Sequence, residues 1–335
     1  MNNLFEISAA EFVAKIREFD VILDARSPAE FEKAAIPRAE NFFALDDFER
    51  AEVGALYKRS PFEARILGAA KICENLAQNL EKFYEIHTPA DKIAIYCARG
   101  GLRSASVSVV LANIGYRIWR VAGGFKSYRA EVLRYFAEMP PYKFVVLDGL
   151  TGSGKSDLIA TLDWSVDLEN LARHKGSSFG AILGAQPAAM KFENDLHFAL
   201  ARFAPNSTIA IEAESKAIGK VVMPSQLYAA MGAGLRVFVE SEIEDRVARI
   251  TLNYGAISEE FFNAAMRKIA PYISRKIADA VRAAFDRRDL NECAFLLLTE
   301  YYDRVYKQNP RRDYTLKFRD LPSATRELNS LRARL

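Results

Sequence analysis

Along the first 138 residues the apolar positions switch between two spacings. Ser8 precedes "AAEFVAKIREF", whose apolar residues recur three and four apart. This predicts a helix capped by the Ser8 hydroxyl. "VILD" (Val21 to Asp24) reads as a buried strand, and "PAEFEKA" as a short helix. A long helical stretch runs from about Pro61 to Phe83, and "KIAIYC" (Lys92 to Cys97) is a second buried strand. "RSASVSVVLANIG" has helical spacing and ends on Gly115, a residue suited to the position just past a helix. "RIWRVAG" is a third strand, and "FKSYRAEVLRYFAEM" closes with a helix. Strands separated by helices predict a parallel sheet with helices on both faces.

"MPPYK" (Met139 to Lys143) interrupts this pattern, because two prolines stop the preceding helix. The expected domains are therefore residues 1–138 and 139–335. The second opens with the strand "FVVLDG" and continues through "STIAIEAE" and "LRVFVE", again with helices between strands. From about Ser258 the pattern is helical almost to the end. The aromatic and leucine positions of "FLLLTEYYDRVY" recur at helical spacing. They read as core rather than as a platform for stacking bases. There is no internal repeat or low-complexity segment.

Composition narrows the class. With 335 residues, half of them hydrophobic, the chain can build two cores. No run of 18 apolar residues exists, so no transmembrane helix is expected. "MNNLFEISAAEF" does not read as a signal peptide. Cys73, Cys97 and Cys293 are too few and too far apart for a disulfide framework, which fits a reducing, cytoplasmic setting. Cys73 and Cys293 sit in helical, apolar surroundings and read as packing residues. Without a CxxC pair, and with only His87, His174 and His197, a zinc site is not expected.

Charge is unevenly spread. From Arg267 onward there are 16 Lys and Arg against 9 Asp and Glu, an excess of +7. The whole chain is +3, so the first 266 residues carry −4. Arg275, Lys276, Arg282, Arg287, Arg288, Arg311 and Arg312 are candidates for a surface that binds a polyanion such as tRNA; the alternative is a solvated helix face.

Two loops carry candidate chemistry. "GLTGSGKS" places Gly149, Thr151, Gly152, Ser153, Gly154, Lys155 and Ser156 between a strand and a helix. Glycines let backbone N–H groups turn inward around an anion, and the helix N-terminus adds partial positive charge. Lys155 adds a full charge, and the Ser156 hydroxyl can hold Mg²⁺. An ATPase has a second strand ending in an acidic residue, and "TIAIEAES" offers Glu212 and Glu214 on one face. Either is a Mg²⁺ or site carboxylate, or both are ordinary strand-end residues.

The second loop follows Cys97: Ala98, Arg99, Gly100, Gly101, Leu102, Arg103 and Ser104, then a helix. Backbone donors, a helix start and two guanidinium groups are surroundings that stabilise negatively charged sulfur. The loop formed by Arg99, Gly100, Gly101, Arg103 and Ser104 can also cradle an anionic donor. A nucleophile beside an anion cradle points to attack on sulfur or selenium, leaving a persulfide or perselenide on Cys97.

"VILDARSPAEFEKAAIP", "IYCARGGLRS" and "VAGGFKSYR" together resemble a rhodanese domain over roughly residues 8–138. In that family the first segment ends in Asp-x-Arg, here Asp24 and Arg26, and the resemblance implies a structural ion pair shaping the site. The usual His-Ile-Pro-Gly stretch reads Ala35-Ile36-Pro37-Arg38, a departure at a structural position. The Cys97–Arg103 loop is one residue longer than in simple sulfurtransferases, which implies a different donor or a larger acceptor than thiosulfate and cyanide.

Joined to a phosphate loop, the whole chain resembles the tRNA 2-selenouridine synthase family. "DLENLARHKGSSFG", "QPAAMKFEN" and "IEAESKAIG" carry the likeness through the second half. The expected fold is α/β: an N-terminal rhodanese-like parallel sheet with helices on both faces, then a P-loop NTPase-like domain with a helical, basic C-terminal region.

The resemblance implies a transferase acting on wobble 2-thiouridine of tRNA. It first adds a geranyl group from geranyl diphosphate, then replaces geranylthiolate with selenium from selenophosphate, with Cys97 as carrier. No tightly bound cofactor is implied, and selenophosphate synthetase is a candidate partner. The phosphate loop then holds the diphosphate of the prenyl donor, although ATP or GTP would suit the loop as well. His174 and Lys175 either touch phosphate or tRNA or simply end a helix, and Glu193 is either scaffold or site carboxylate. A competing function is a rhodanese-type sulfurtransferase coupled to an ATP/GTP-binding domain. Another is a nucleotide-switched RNA-binding protein, which the intact Cys97 loop argues against.

Overall fold

A strand buried on both faces has to be apolar along most of its length, and the strands read from such runs lie inside two parallel sheets. The computed structural model describes residues 3–255, 257–305 and 309–335. The chain divides into two units, Met1–Glu138 with Glu193–Phe198, and Met139–Phe192 with Ala199–Leu335.

The first unit holds β1 (Leu4–Ile7), β2 (Val21–Asp24), β3 (Ala39–Asn41), β4 (Lys92–Tyr96) and β5 (Arg117–Val121). Their order is β1-β5-β4-β2-β3, all parallel. Val21, Leu23, Ile93, Ile95 and Ile118 form its core with Val107 and Leu111 of the helix Leu102–Asn113. Ser8 caps the helix Ala9–Ala14 by accepting from the Glu11 N–H at 3.1 Å, and that helix buries Phe12.

Two short edge strands go beyond the sequence reading. β1 exposes Phe5 and Glu6, and β3 is "AEN", so neither carries an apolar pattern. The helix Asp47–Tyr57, started by an Asp46–Glu49 capping box, was likewise not expected. The helix Pro61–Phe83 has the expected bounds. Cys73, read as a packing residue, is exposed. Ile72 and Leu76 form that helix's buried stripe, and position 73 faces water.

The second unit holds β6 (Lys143–Asp148), β7 (Ser165–Val166), β8 (Thr208–Glu212), a small antiparallel ribbon of β9 (Ala217–Ile218) and β10 (Val221–Val222), β11 (Leu235–Glu240) and β12 (Tyr314–Lys317). The main sheet runs β12-β11-β6-β8-β7, all parallel. β12 corrects the expectation of helix almost to the end. Its pairing partner lies 77 residues earlier, with Val237 opposite Tyr314, and local spacing carries no trace of that.

Helices Glu259–Ile269, Arg275–Asp286 and Leu290–Leu297 gather around Phe262, Ile269, Val281 and Leu297. A single π turn, Leu298–Tyr302, follows. Of the "FLLLTEYYDRVY" segment, Leu297, Leu298 and Tyr301 are buried and Phe295 is exposed. Tyr306 lies outside the described residues. No helix among the described residues is long and apolar enough to cross a membrane.

Strand order positions both loops. From β2 the chain crosses outward to β3, whereas from β4 it crosses the other way to β5. Connections diverging from neighbouring strands leave a crevice at their carboxyl ends, where α/β proteins bind ligands. Asp24 and Cys97 sit there. In the second sheet β7 and β8 lie on one side of β6, and β11 and β12 on the other. The phosphate loop leaves the carboxyl end of β6.

Candidate active sites

Cys97 is the first residue past β4 and is 2% exposed. Its Sγ accepts from the Gly101 N–H at 3.2 Å and from the Ser104 hydroxyl at 3.2 Å. The loop is clamped from the other side by the start of the helix Gly124–Ala137. The Phe125 N–H donates to the Cys97 carbonyl at 2.8 Å, and the Lys126 N–H to the Ala98 carbonyl at 3.0 Å. Gly124 has φ +57, and a Cβ there would lie 2.1 Å from the Cys97 carbonyl oxygen, so only glycine allows this approach. Gly100 also takes positive φ, and Arg99 is exposed. Arg103 is ion-paired to Glu30 at 2.6 Å, and this lowers the Glu30 carboxyl against the effect of its burial. Arg103 thus ties the loop to the helix Pro28–Lys33.

Asp24 and Arg26 form a fully enclosed bidentate pair, with the guanidinium 2.6 and 3.0 Å from the two carboxylate oxygens. Tyr96 donates to Asp24 at 2.6 Å and accepts from the Ile36 N–H at 3.1 Å. Arg26 also donates to the Ala34 carbonyl at 2.7 Å and stacks on Phe125 at 3.8 Å. The network therefore fastens the Ala35-Ile36-Pro37-Arg38 stretch to the strand that carries Cys97. Arg38 has φ +67, which explains why a glycine suits that position in the rhodanese pattern.

The phosphate loop has the conformation its glycines allow, with positive φ at Gly149, Gly152 and Gly154. The Lys155 amine donates to the Gly149 carbonyl at 2.6 Å and the Leu150 carbonyl at 3.1 Å, and lies 3.5 Å from the Ser153 hydroxyl. Burial lowers its pKa, while the carboxylates of Glu169, Glu214, Asp148 and Glu212 oppose that shift. The Ser156 hydroxyl donates to Glu169 at 2.8 Å. A cleft of about 340 Å³ opens over the loop, lined also by Lys175, Gly176, Glu214, Arg249 and Tyr254.

The two strand-end carboxylates part company. Glu212 is 1% exposed and accepts from the Leu168 N–H at 2.9 Å. Burial, reinforced by Asp167, Glu169 and Glu214, pushes it well above the carboxylate range. Glu214 lies past the strand and lines the cleft, and burial followed by Glu169 pushes it up to about 7. Gly176, at φ +61, makes room for it: a Cβ there would lie 2.7 Å from the Glu214 carboxylate. Lys175 lines the same cleft, its amine 5.3 Å from the Tyr254 ring centre, whereas His174 packs against Gly180.

A family model of the tRNA 2-selenouridine synthase AAA domain matches residues 142–277, and a rhodanese-like domain model matches residues 8–131. The tRNA 2-selenouridine synthase of Shewanella loihica (strain ATCC BAA-1088 / PV-4) is 31% identical over 334 residues, covering 90% of this chain and 90% of that protein. That of Hahella chejuensis (strain KCTC 2396) is 32% identical, with 91% and 90% covered. The chain belongs to the tRNA 2-selenouridine synthase family. A further relative, from Pseudomonas syringae pv. tomato (strain ATCC BAA-871 / DC3000), reaches 37% identity over 70% of this chain and 65% of its own length.

In this family member three residues that hold the Gly149–Ser156 loop escaped the sequence reading. Glu169 takes the Ser156 hydroxyl. Arg246, 3% exposed, donates to the Thr151 carbonyl at 2.9 Å and pairs with Asp303 at 2.6 Å. Arg249 donates to the Gly152 carbonyl and pairs with Asp157 at 3.1 Å. The available signal was two arginines three apart on the helix Ile243–Tyr254, which places them on one face. Glu193 is engaged by Arg129 within the first unit.

The basic residues of the C-terminal region are mostly paired. Arg275 meets Asp279, Arg282 meets Glu259 and Asp286, Arg287 meets Glu292, and Arg311 meets Asp313. Arg312 stacks on Phe238 at 3.6 Å, Arg288 takes positive φ and Lys276 is exposed. Exposed ion pairs are weak, so these arginines remain exchangeable for phosphate partners.

Because the Glu214 carboxyl is raised from 4.5 to about 7, the folded protein holds that proton more tightly than the unfolded chain does. Its contribution to stability is complete below about 4.5 and is lost as pH rises through about 7. Thermal unfolding between these limits should show a declining midpoint, and Glu214→Gln should make the decline shallower. An unchanged slope in the variant would mean that Glu214 does not carry the shifted proton.

Proposed function

We propose that this chain converts the wobble 2-thiouridine of tRNA to 2-selenouridine through an S-geranyl intermediate. The donors are geranyl diphosphate and selenophosphate, with Cys97 as selenium carrier. The observation that carries the reading is the pairing, in one chain of this family, of a buried sulfur accepting from the Gly101 N–H and the Ser104 hydroxyl at a sheet's switch point with a phosphate loop. In the first step the thiouridine sulfur attacks the allylic carbon, the carbon–oxygen bond breaks and diphosphate leaves. The loop's N–H groups and Lys155 take up the leaving charge. In the second step selenophosphate held at Cys97 forms a bond from selenium to C2 as geranylthiolate departs, and water then breaks the selenium–phosphorus bond, releasing phosphate. Alkylated sulfur leaves more readily than the thiocarbonyl does. Mg²⁺ at Ser156 would assist the first step, with Glu214 the carboxylate facing that cleft. The basic C-terminal surface takes tRNA phosphates.

Mass spectrometry of wobble nucleosides decides the main claim. Cys97→Ser should abolish 2-selenouridine, because a hydroxyl does not carry selenium as a thiolate does. Cys73→Ser should leave it unchanged, and a normal yield from Cys97→Ser would remove Cys97 from the pathway.

Lys155→Ala should stop alkylation first, with a loss of about 2–4 kcal/mol in leaving-group stabilisation. Supplying tRNA already S-geranylated should restore selenation. If it does not, the loop serves selenium transfer itself.

Replacing Arg311 and Arg312 by Glu should weaken tRNA binding and flatten its dependence on salt, since each lost phosphate contact releases fewer counterions. Unchanged affinity and slope in a filter-binding titration would place the tRNA on another surface.

A further inference from the structure

Beside the phosphate-loop cleft lies a second cavity of about 70 Å³. Its walls include Ile250, Phe262, Phe285, Ala294, Leu297 and Leu298, and among the described residues lining it none is charged. Thr151, Ser177, Ile250, Tyr254 and Tyr302 line both cavities, so the apolar space opens where the phosphate loop begins. The polar groups sit mainly on these shared residues.

Four helices and the π turn build the pocket. Ile250 and Tyr254 stand one turn apart on the helix Ile243–Tyr254. Phe262 and Phe285 come from two successive helices and stack face to face with ring centres 3.9 Å apart. Leu298 and Tyr302 are the two ends of the π turn, and such turns recur at functional sites.

We infer that this pocket receives the hydrocarbon chain of the prenyl diphosphate whose diphosphate lies on the loop. The inference rests on the prenyl-donor reading of that loop and deepens it. The lining chooses between occupants. A purine would bury ring nitrogens and exocyclic groups against Phe, Leu and Ile side chains with nothing to pair them, which is costly. An isoprenoid chain has no such groups and gains from leaving water.

Size sets the length. If a water-sized group needs roughly 10–15 Å³, the pocket holds about half a dozen carbons, close to one isoprene unit. A ten-carbon chain then fits with its distal unit inside and its proximal unit in the shared mouth. A fifteen-carbon chain leaves a further isoprene unit outside the apolar pocket.

Calorimetric binding to the full chain tests this with three probes: inorganic diphosphate, geranyl diphosphate and farnesyl diphosphate. The unsubstituted protein should bind geranyl diphosphate at least about tenfold more tightly than inorganic diphosphate, with a negative heat-capacity change from apolar burial. Ala294 is 5% exposed on the pocket wall. Ala294→Phe should fill the space and erase the geranyl advantage while diphosphate affinity stays within about twofold. If geranyl diphosphate keeps its advantage in that variant, the chain lies elsewhere and the donor reading survives alone. If the unsubstituted protein gains nothing from the geranyl chain, the donor reading falls and the pocket's role falls with it. Leu297→Ala is the second variant, should Ala294→Phe lose diphosphate binding altogether. Enlarging the pocket should raise farnesyl diphosphate affinity by at least about fivefold, and no rise would overturn the assignment.

Discussion

Both candidate sites depend on one constraint: a parallel strand covered on both faces is open to a ligand only at its ends. Where its neighbours send their connections to opposite sides, the carboxyl end stays uncovered. β4 and β6 meet that condition, and each is followed at once by glycines and a helix start. The donors that reach the Cys97 sulfur come from Gly101 and Ser104, at the first turn of the helix that follows. A buried strand thus presents the residue just past its end to one backbone N–H and one hydroxyl.

Holding the Cys97 loop in place falls to a buried charge pair. Asp24 is wholly enclosed, and an unpaired carboxylate there would be prohibitively costly. Arg26 neutralises it, Tyr96 donates to it, and the same two side chains anchor the Ala34–Ile36 backbone. The pair acts on the site by fixing the walls around the sulfur. In the second unit the balance is reversed. Lys155 is the buried cation, with Glu169, Glu214, Asp148 and Glu212 around it, and burial raises the pKa of both Glu212 and Glu214. An excess of carboxyl groups about one lysine would repel an anion if all were ionised, and burial at Glu212 and Glu214 works against that ionisation.

Legibility followed burial and contiguity. β2, β4, β6 and β8 are apolar because both of their faces are covered, so short runs of sequence disclosed them. β1, β3 and β12 lie at sheet edges, where one side meets water and the pattern dissolves. Cys73 misled because a cysteine among helical apolar neighbours looks like core, while the helix's angular period turns it outward.

The phosphate loop and the Cys97 loop could be read directly, since each is a continuous stretch with its glycines and polar side chains adjacent in sequence. Glu169, Arg246 and Arg249 could not, because they reach the phosphate loop from 13 to 97 residues away along the chain. Sequence alone disclosed the two α/β units and the two glycine-bearing loops that follow β4 and β6, all properties of local backbone and buried pattern. Packing settled that Arg103 is tied to Glu30, that Glu214 rather than Glu212 faces the cleft, and that an apolar pocket lies beside the phosphate loop. Each of these depends on which distant side chains share one low-dielectric space, and that is settled only when the elements pack.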